Sequence, residues 1–240
     1  IPSVDEEVEI ISKNRNKIRC DLLMPSEKFI NIHKNKWKKN QFLKKKNFYS
    51  PESRILKKNT KLFPGPLIIK PIMGRGSQGV RIINKKDGIK NYISNSDMSG
   101  KLIIQKKIIG KEYTVMVSAN KKGIVKAIVP VKVLEKKGIT ILGKTDNNKN
   151  IINECFKIHN ELKTPGCYNI QLILTKKNKV YAFEINPRIS TTTCLAIYAG
   201  VDIINIFMKN KSNNSFLKDL KKFENNILLS RSWINNFSKK

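Results

Sequence analysis

Val180-Tyr-Ala-Phe-Glu-Ile-Asn-Pro-Arg-Ile-Ser190, read with Tyr168-Asn-Ile-Gln-Leu-Ile-Leu174 just before it, decides how the rest of the chain is understood. Both runs are apolar or alternate with polar residues, and Thr175-Lys-Lys-Asn-Lys179 between them is a polar segment of hairpin length. The pattern predicts two antiparallel strands. Glu184 and Asn186 are two apart, so their side chains leave the same face of one strand. Hairpin pairing brings Gln171 opposite them. Three oxygen-bearing side chains then share a sheet face, in a strand otherwise made of Tyr181, Phe183 and Ile185.

Such oxygens are costly to bury without hydrogen bonds or a cation. Mg²⁺, or Mn²⁺ in its place, fits them: a hard ion takes one or two carboxylates and fills its other positions with water and phosphate oxygens. Arg188, two residues past Asn186, leaves on the same side, and a guanidinium there suits a phosphate or carboxylate. The residues alone also allow a plain hairpin with a solvated polar face.

Size and composition narrow the classes. A chain of 240 residues with 40% apolar side chains can bury a true core. Its apolar runs fall far short of a membrane span, and no signal-peptide pattern opens it, so a cytoplasmic protein is expected, with no membrane partner. Cys20, Cys155, Cys167 and Cys194 have no zinc-like spacing and read as reduced thiols. His33 and His159 are far apart and read as surface or helix residues. The net charge of +30 invites a polyanion partner. Against that, 41 of the 48 basic residues are lysines spread over nearly every segment, alongside many Asn and Ile, as an A/T-rich coding sequence produces. No aromatics interleave with them as a base-stacking platform requires. A specific nucleic-acid partner is therefore not expected.

Taken in order, the chain opens with a strand end at 1–4 and an acidic helix start at Asp5, with the helix running to about Lys17. Helices are expected at 26–33 and 36–46. Leu67-Ile-Ile-Lys70-Pro71 reads as a strand carrying a lysine at its end, followed by Met73-Gly-Arg-Gly-Ser-Gln-Gly-Val80. Three glycines with Ser77 and Arg75 let the backbone curl around an anion, making a phosphate-loop candidate; a plain hairpin turn is the other reading. It is not the Walker pattern, since the lysine precedes the loop. A helix at 86–97, strands at 101–109, 110–117 and 123–133, a looser stretch from Lys136 to Asn150 and a helix at 150–163 lead to the hairpin. Helices then follow from Thr191 to Gly200 and after Asp202, and 215–240 reads as a polar, partly helical tail.

The succession strand-Lys70, Gly-rich loop, Gly110-Lys-Glu-Tyr-Thr-Val115, Asn169-Ile-Gln171 and Glu184-Ile-Asn-Pro-Arg188 resembles the ATP-grasp superfamily. It resembles especially the carbamoyl-phosphate synthetase large-subunit-like branch, with biotin carboxylase and D-alanine-D-alanine ligase more distant relatives. The resemblance covers nearly the whole chain. It implies an α+β ATP-grasp fold, two subdomains gripping ATP between antiparallel sheets, preceded by a remnant of a Rossmann-like domain. The implied divisions are 1–30 for the remnant, 31–215 for the ATP-grasp unit with a small lid near 67–117, and 216–240 for the tail. It implies that Lys36 and Lys70 hold ATP phosphates under the loop containing Gly74, Gly76, Ser77 and Gly79. Glu112 would receive the ribose hydroxyls, and Gln171, Glu184 and Asn186 would share magnesium. Arg188 would steady the transferred phosphoryl group or acyl phosphate. The activity implied is an ATP-dependent ligase that activates a carboxylate as an acyl phosphate and joins it to an amine, acting as a homo-oligomer or with a separate partner domain. A nucleotide-binding unit without its own catalysis is the alternative, and a basic nucleic-acid binder a third reading. Two positions depart from the family pattern: Lys106 stands where relatives often carry glutamate, and Asn35 where they carry aspartate.

Overall fold

A computed structural model describes residues 1–74, 78–84, 100–209, 216–234 and 237–238. Its framework is two antiparallel sheets. The smaller contains β1 (Ser53–Ile55), β2 (Leu67–Pro71), β3 (Arg81–Ile83) and β4 (Leu102–Lys106), in the order β1-β4-β2-β3. The larger is built from β5 (Lys111–Ala119), β6 (Val125–Lys137), β7 (Ile139–Thr145), β8 (Gly166–Leu174), β9 (Val180–Asn186) and β10 (Leu228–Ser230), in the order β10-β7-β6-β5-β8-β9. Antiparallel sheets with helices make this an α+β fold.

One face of the large sheet is covered by helices. Val115, Val117, Ile170, Leu172, Ala182 and Ile185 alternate inward along β5, β8 and β9 and meet Phe29 of α2 (Glu27–His33), Leu43 of α3 (Lys36–Lys45), and Ile151, Cys155 and Ile158 of α4 (Lys149–Glu161). The opposite face is apolar only at one end. There Met116, Ala127, Val129 and Cys167 pack under Ala196 of α5 (Thr193–Tyr198) and Ile203, Ile206 and Phe207 of α6 (Ile203–Met208). At its other end the same face is polar and looks toward the small sheet. A separate, smaller core of Leu56, Phe63, Leu67, Ile69, Leu102 and Ile104 supports the small sheet from behind.

Several expectations change. Residues 1–4 form no strand; α1 (Asp5–Lys13) ends at Asn14 and is followed by a 3₁₀ turn at Arg15–Lys17. The stretch from Lys136 to Asn150 is no loose loop. β6 runs on to Lys137 and turns at Gly138, whose φ of 72° suits glycine, into β7. The polar run Glu135-Lys-Lys137 masked a strand that leaves the core while still pairing. The strands expected at 101–109 and 110–117 form as β4 and β5 and belong to different sheets, β4 to the small one and β5 to the large one. Within 215–240 the described residues hold a 3₁₀ turn, Leu217–Asp219, and β10, which pairs with β7 as an edge strand. The helix expected at 86–97 lies outside the described residues.

Both histidines are in helices, but neither is at the surface: His33 and His159 are fully buried. His159 Nε2 lies 3.0 Å from the Gly123 carbonyl and its Nδ1 lies 3.1 Å from the Tyr168 hydroxyl. The carbonyl can only accept, so Nε2 carries the proton and the tyrosine donates to Nδ1. This residue is structural.

Candidate active site

The cleft between the sheets holds a cavity of about 430 Å³. Its upper wall follows from strand alternation. Leu67 and Ile69 face the small core, so Ile68 and Lys70 face the cleft. Pairing places Ile82, Ile68, Gln105 and Ser53 in one row across β3, β2, β4 and β1. Gln105 Nε2 donates to Ser53 Oγ at 2.7 Å, and Asn40 of α3 donates to the same oxygen at 2.9 Å. The amide is thereby locked in a buried network on the upper wall of the cavity. Ile68 and Ile82 above, with Ile173 below, offer flat apolar surface.

The lower wall is the predicted hairpin. Gln171 stands opposite Glu184, and Asn169 opposite Asn186. The expected face therefore forms, and all three of Gln171, Glu184 and Asn186 line one pocket of about 120 Å³ with Glu112 and Arg188. Strict alternation fails at one residue. Gln171 pairs with Glu184 and Leu172 with Ala182, leaving Phe183 as the extra residue of a β-bulge. Phe183 and Glu184 consequently both line the larger cavity, although the sequence period put them on opposite faces. Lys39 donates to the Phe183 carbonyl at 2.8 Å, satisfying a group that the bulge frees from the ladder.

Lys36, Lys39 and Lys70 are all buried. Lys36 donates to the Gly74 carbonyl at 2.6 Å, and its amide donates to the Ile72 carbonyl, joining α3 to the end of β2. Lys70 lies 5.8 Å from the Phe183 ring centre. Burial lowers the pKa of all three, to about 8 for Lys70; neighbouring lysines lower Lys39 and Lys70 further, and Glu184 pulls each of the three back up. Three buried lysines thus gather around Glu184, with Asp5 a second carboxylate acting on Lys36.

Asn35 caps α3, its side chain accepting from the Lys38 amide at 2.9 Å. Asn and Asp are equivalent in that role, so the departure leaves the helix start intact. Lys106 lines the cavity, its amide donating to the Glu52 carbonyl. Glu112 is held by Lys136 at 2.6 Å. Gly74 and Gly79 bound the glycine-rich loop, and a side chain at Gly79 would meet Pro71 at 2.9 Å. Arg75, Gly76 and Ser77 lie outside the described residues. Gly110 of the Gly-Lys-Glu motif is explained by space: a Cβ there would lie 2.3 Å from the Leu174 carbonyl.

Four cleft residues were not anticipated. Lys39 and Lys136 carried no signal among so many lysines. Gln105 sits in an apolar run and reads as ordinary strand. Asn169, two residues before Gln171 in the hairpin, has no sequence signal of its own; it accepts from Thr114 Oγ1 at 2.7 Å, while its buried Nδ2 has no partner among the described residues.

The family model for the ATP-grasp domain matches residues 33–192. The chain belongs to the ATP-grasp family. It is 27% identical over 220 residues to a D-alanine–D-alanine ligase of Rickettsia bellii, covering 81% of this chain and 66% of the relative. A D-alanine–D-alanine ligase of Buchnera aphidicola is 30% identical over 154 residues, 56% of this chain and 47% of that protein. The ATP-grasp chain therefore spans at most about two thirds of these curated relatives. Among solved structures, the biotin carboxylase domain of Hydrogenobacter thermophilus 2-oxoglutarate carboxylase superposes with a TM-score of 0.73 at 18% identity, over 92% of this chain and 55% of that one. An L-amino acid ligase from Bacillus licheniformis gives 0.69 at 14% identity, over 85% and 53%. These likenesses establish the shared ATP-grasp fold. Among the described residues no helix is long and apolar enough to cross a membrane.

Proposed function

We propose that this ATP-grasp chain binds ATP in the cleft, activates a carboxylate as an acyl phosphate and transfers the acyl group to an amine. The observation that carries the reading is the pairing of an apolar-walled cavity of about 430 Å³ with Lys36 and Lys70 on its lining, both buried and, with Lys39 behind them, drawn to Glu184. A nucleoside triphosphate supplies both a flat apolar group for the walls and anionic charge for the lysines. The base lies between Ile68 and Ile173, Glu112 takes the ribose once Lys136 turns to phosphate, and Lys36 and Lys70 hold the phosphates under the loop bounded by Gly74 and Gly79.

Gln171, Glu184 and Asn186 offer one carboxylate and two amide oxygens, a set that fits Mg²⁺ or Mn²⁺ shared with phosphate. Bound there, the ion would neutralise charge on the phosphoryl oxygens. The chain's own residues position the rest. A substrate carboxylate oxygen attacks the γ-phosphorus, forming one P–O bond while the bridge to the β-phosphate breaks and ADP leaves. The amine nitrogen then forms the C–N bond, the acyl C–O bond breaks, phosphate departs and the nitrogen releases its proton to solvent. Arg188, on the cavity wall, meets the charge that develops in both steps. The relatives named as D-alanine–D-alanine and L-amino acid ligases support carboxylate–amine joining. The Glu-Ile-Asn-Pro-Arg run supports the carbamoyl-phosphate synthetase-like branch within the family.

Isothermal titration with ATP, with and without Mg²⁺, on the wild type and on Glu184→Gln tests this. Magnesium-dependent binding lost in the variant, with ADP release for some acid and amine pair, is the expected result. Saturable binding with no ADP release would favour the nucleotide-binding reading, to which the excess of lysines over carboxylates in the cleft also lends itself. Equal turnover by the variant would overturn the assignment.

A further inference from the structure

Arg188 meets a partner 183 residues away in sequence. Its Nε donates to Asp5 Oδ1 at 2.8 Å and its Nη2 to Asp5 Oδ2 at 3.5 Å, so the carboxylate occupies the side of the guanidinium formed by those two nitrogens. Nη1 donates to the Ile189 carbonyl at 3.0 Å. Five N–H groups are available on a guanidinium, and these contacts use three. The two that remain are one on Nη1 and one on Nη2, the pair of nitrogens through which a guanidinium grips a carboxylate or phosphate with two parallel bonds. The pair is partly buried, with the arginine side chain 19% and the aspartate side chain 33% exposed. Arg188 borders the small cavity with Gln171, Glu184 and Asn186, whereas Asp5 borders the adjoining cavity of about 260 Å³ on the far side of Asn186.

We infer that Asp5 is a positioning residue: it turns Arg188 so that the free end of its fork faces the cavity where the phosphoryl group is handled. The inference rests on the reading of that cavity given above. It makes the first turn of α1 a working part of the site, although its residues lie outside the 33–192 family match.

Charge and aim predict opposite signs, which makes the inference decidable. If Asp5 only neutralised Arg188, removing its charge would tighten anion binding. If Asp5 aims Arg188, removal loosens it. The Arg188 Nε–H resonance, assigned by its loss in Arg188→Lys, gives a readout that needs no turnover. In the wild type this signal should move saturably as inorganic phosphate is added. In Asp5→Asn the apparent phosphate affinity should fall at least threefold despite the lost negative charge. Asp5→Glu keeps the charge but displaces the carboxylate by one methylene, and should also weaken phosphate binding. Glu9→Gln removes the same charge from the same helix and should leave affinity unchanged or slightly tighter. Phosphate affinity in Asp5→Asn equal to or above the wild type would overturn the inference, as would an Arg188 signal insensitive to phosphate in the wild type. With MgATP and a productive acid, Asp5→Asn should lower kcat about tenfold with little change in KM for ATP. If the wild type releases no ADP with any acid, the ligase reading fails while the phosphate titration still decides the role of Asp5. If Asp5→Asn does not fold, Asp5→Glu carries the test alone.

Discussion

The wall contributed by β5, β8 and β9 and the wall contributed by β2, β3 and β4 hold their cleft side chains by different means. The lower wall uses strands of seven to nine residues, anchored from behind by buried residues of three helices. Its polar residues are fixed by cross-strand register. The upper wall uses strands of three to five residues over a core of six buried side chains. The donors that must hold a geometry are on the deep wall, and the surface that only has to cover a base is on the shallow one. Regions with few buried apolar contacts open at lower free energy than the global transition. A nucleotide cleft closed by such a wall can admit its ligand without disturbing the set Gln171, Glu184 and Asn186.

Equivalent truncations in the two walls should separate these roles, with the largest effect in the lower one. Ile170 is fully buried in the large core, and Ile170→Ala should cost about 4 kcal/mol of global stability in urea unfolding. Ile104, equally buried but in the small core, should cost about 2 kcal/mol when cut to Ala. Its main signature should be lost hydrogen-exchange protection in β1 to β4 and weaker ATP binding, with β5 to β9 unchanged. Uniform loss of protection across both sheets would mean that the walls unfold as one unit, and the comparison would collapse.

A smaller effect tests the lysines that span both walls. Burial, with Lys36 and Lys136 nearby, brings Lys70 down to about 8 against the pull of Glu184. Phosphate needs the charged form, so ATP affinity should hold near pH 7 and fall as pH rises through 8. One linked proton predicts a loss of roughly thirtyfold by pH 9.5, about 2 kcal/mol. Stability of the free protein should move the other way. Above pH 8 the folded state sheds a proton that the unfolded chain keeps until about 10.4, so unfolding free energy rises through that window. Lys70→Met should weaken both trends, the remainder belonging to Lys36 and Lys39, which burial also lowers. Parallel pH profiles for the variant and the wild type would detach Lys70 from the nucleotide.

How much of this was legible in the chain depends on whether a residue's neighbours are local. The hairpin was legible because a period of two and a five-residue turn fix which side chains share a face, and Gln171, Glu184 and Asn186 fall where that rule puts them. Phe183 was not, because a bulge is a property of the pair of strands and leaves no mark on one of them. Lys39 and Lys136 are individually indistinguishable from surface lysines; only the packing of α3 on β9 and the extension of β6 past the core give them a role. Asp5 and Arg188 meet across almost the whole chain. No spacing rule reaches that far.

The smallest expected effect compares two buried histidines, one in each environment that the helices create. His159 of α4 is bonded at both ring nitrogens, whereas His33 of α2 lies between the rings of Phe29 and Phe42 with neither nitrogen partnered among the described residues. Burial, with Lys39 nearby, lowers the His33 pKa to about 3. The unfolded chain takes up this proton near pH 6.5 and the folded protein does not, so the contribution of His33 to stability is complete above 6.5 and is lost as pH falls toward 3. His33→Phe keeps the aromatic packing and removes the proton. Relative to the wild type it should gain on the order of 1 kcal/mol at pH 5.5 compared with pH 8, read from thermal unfolding at the two values. Some acid sensitivity should remain, because His159 is lowered to about 4 and keeps its own slope. An identical difference between variant and wild type at both pH values would show that His33 already carries a proton, or a partner, in the folded protein. The α2 side of the cleft would then have to be redrawn around a charged histidine beside Lys39.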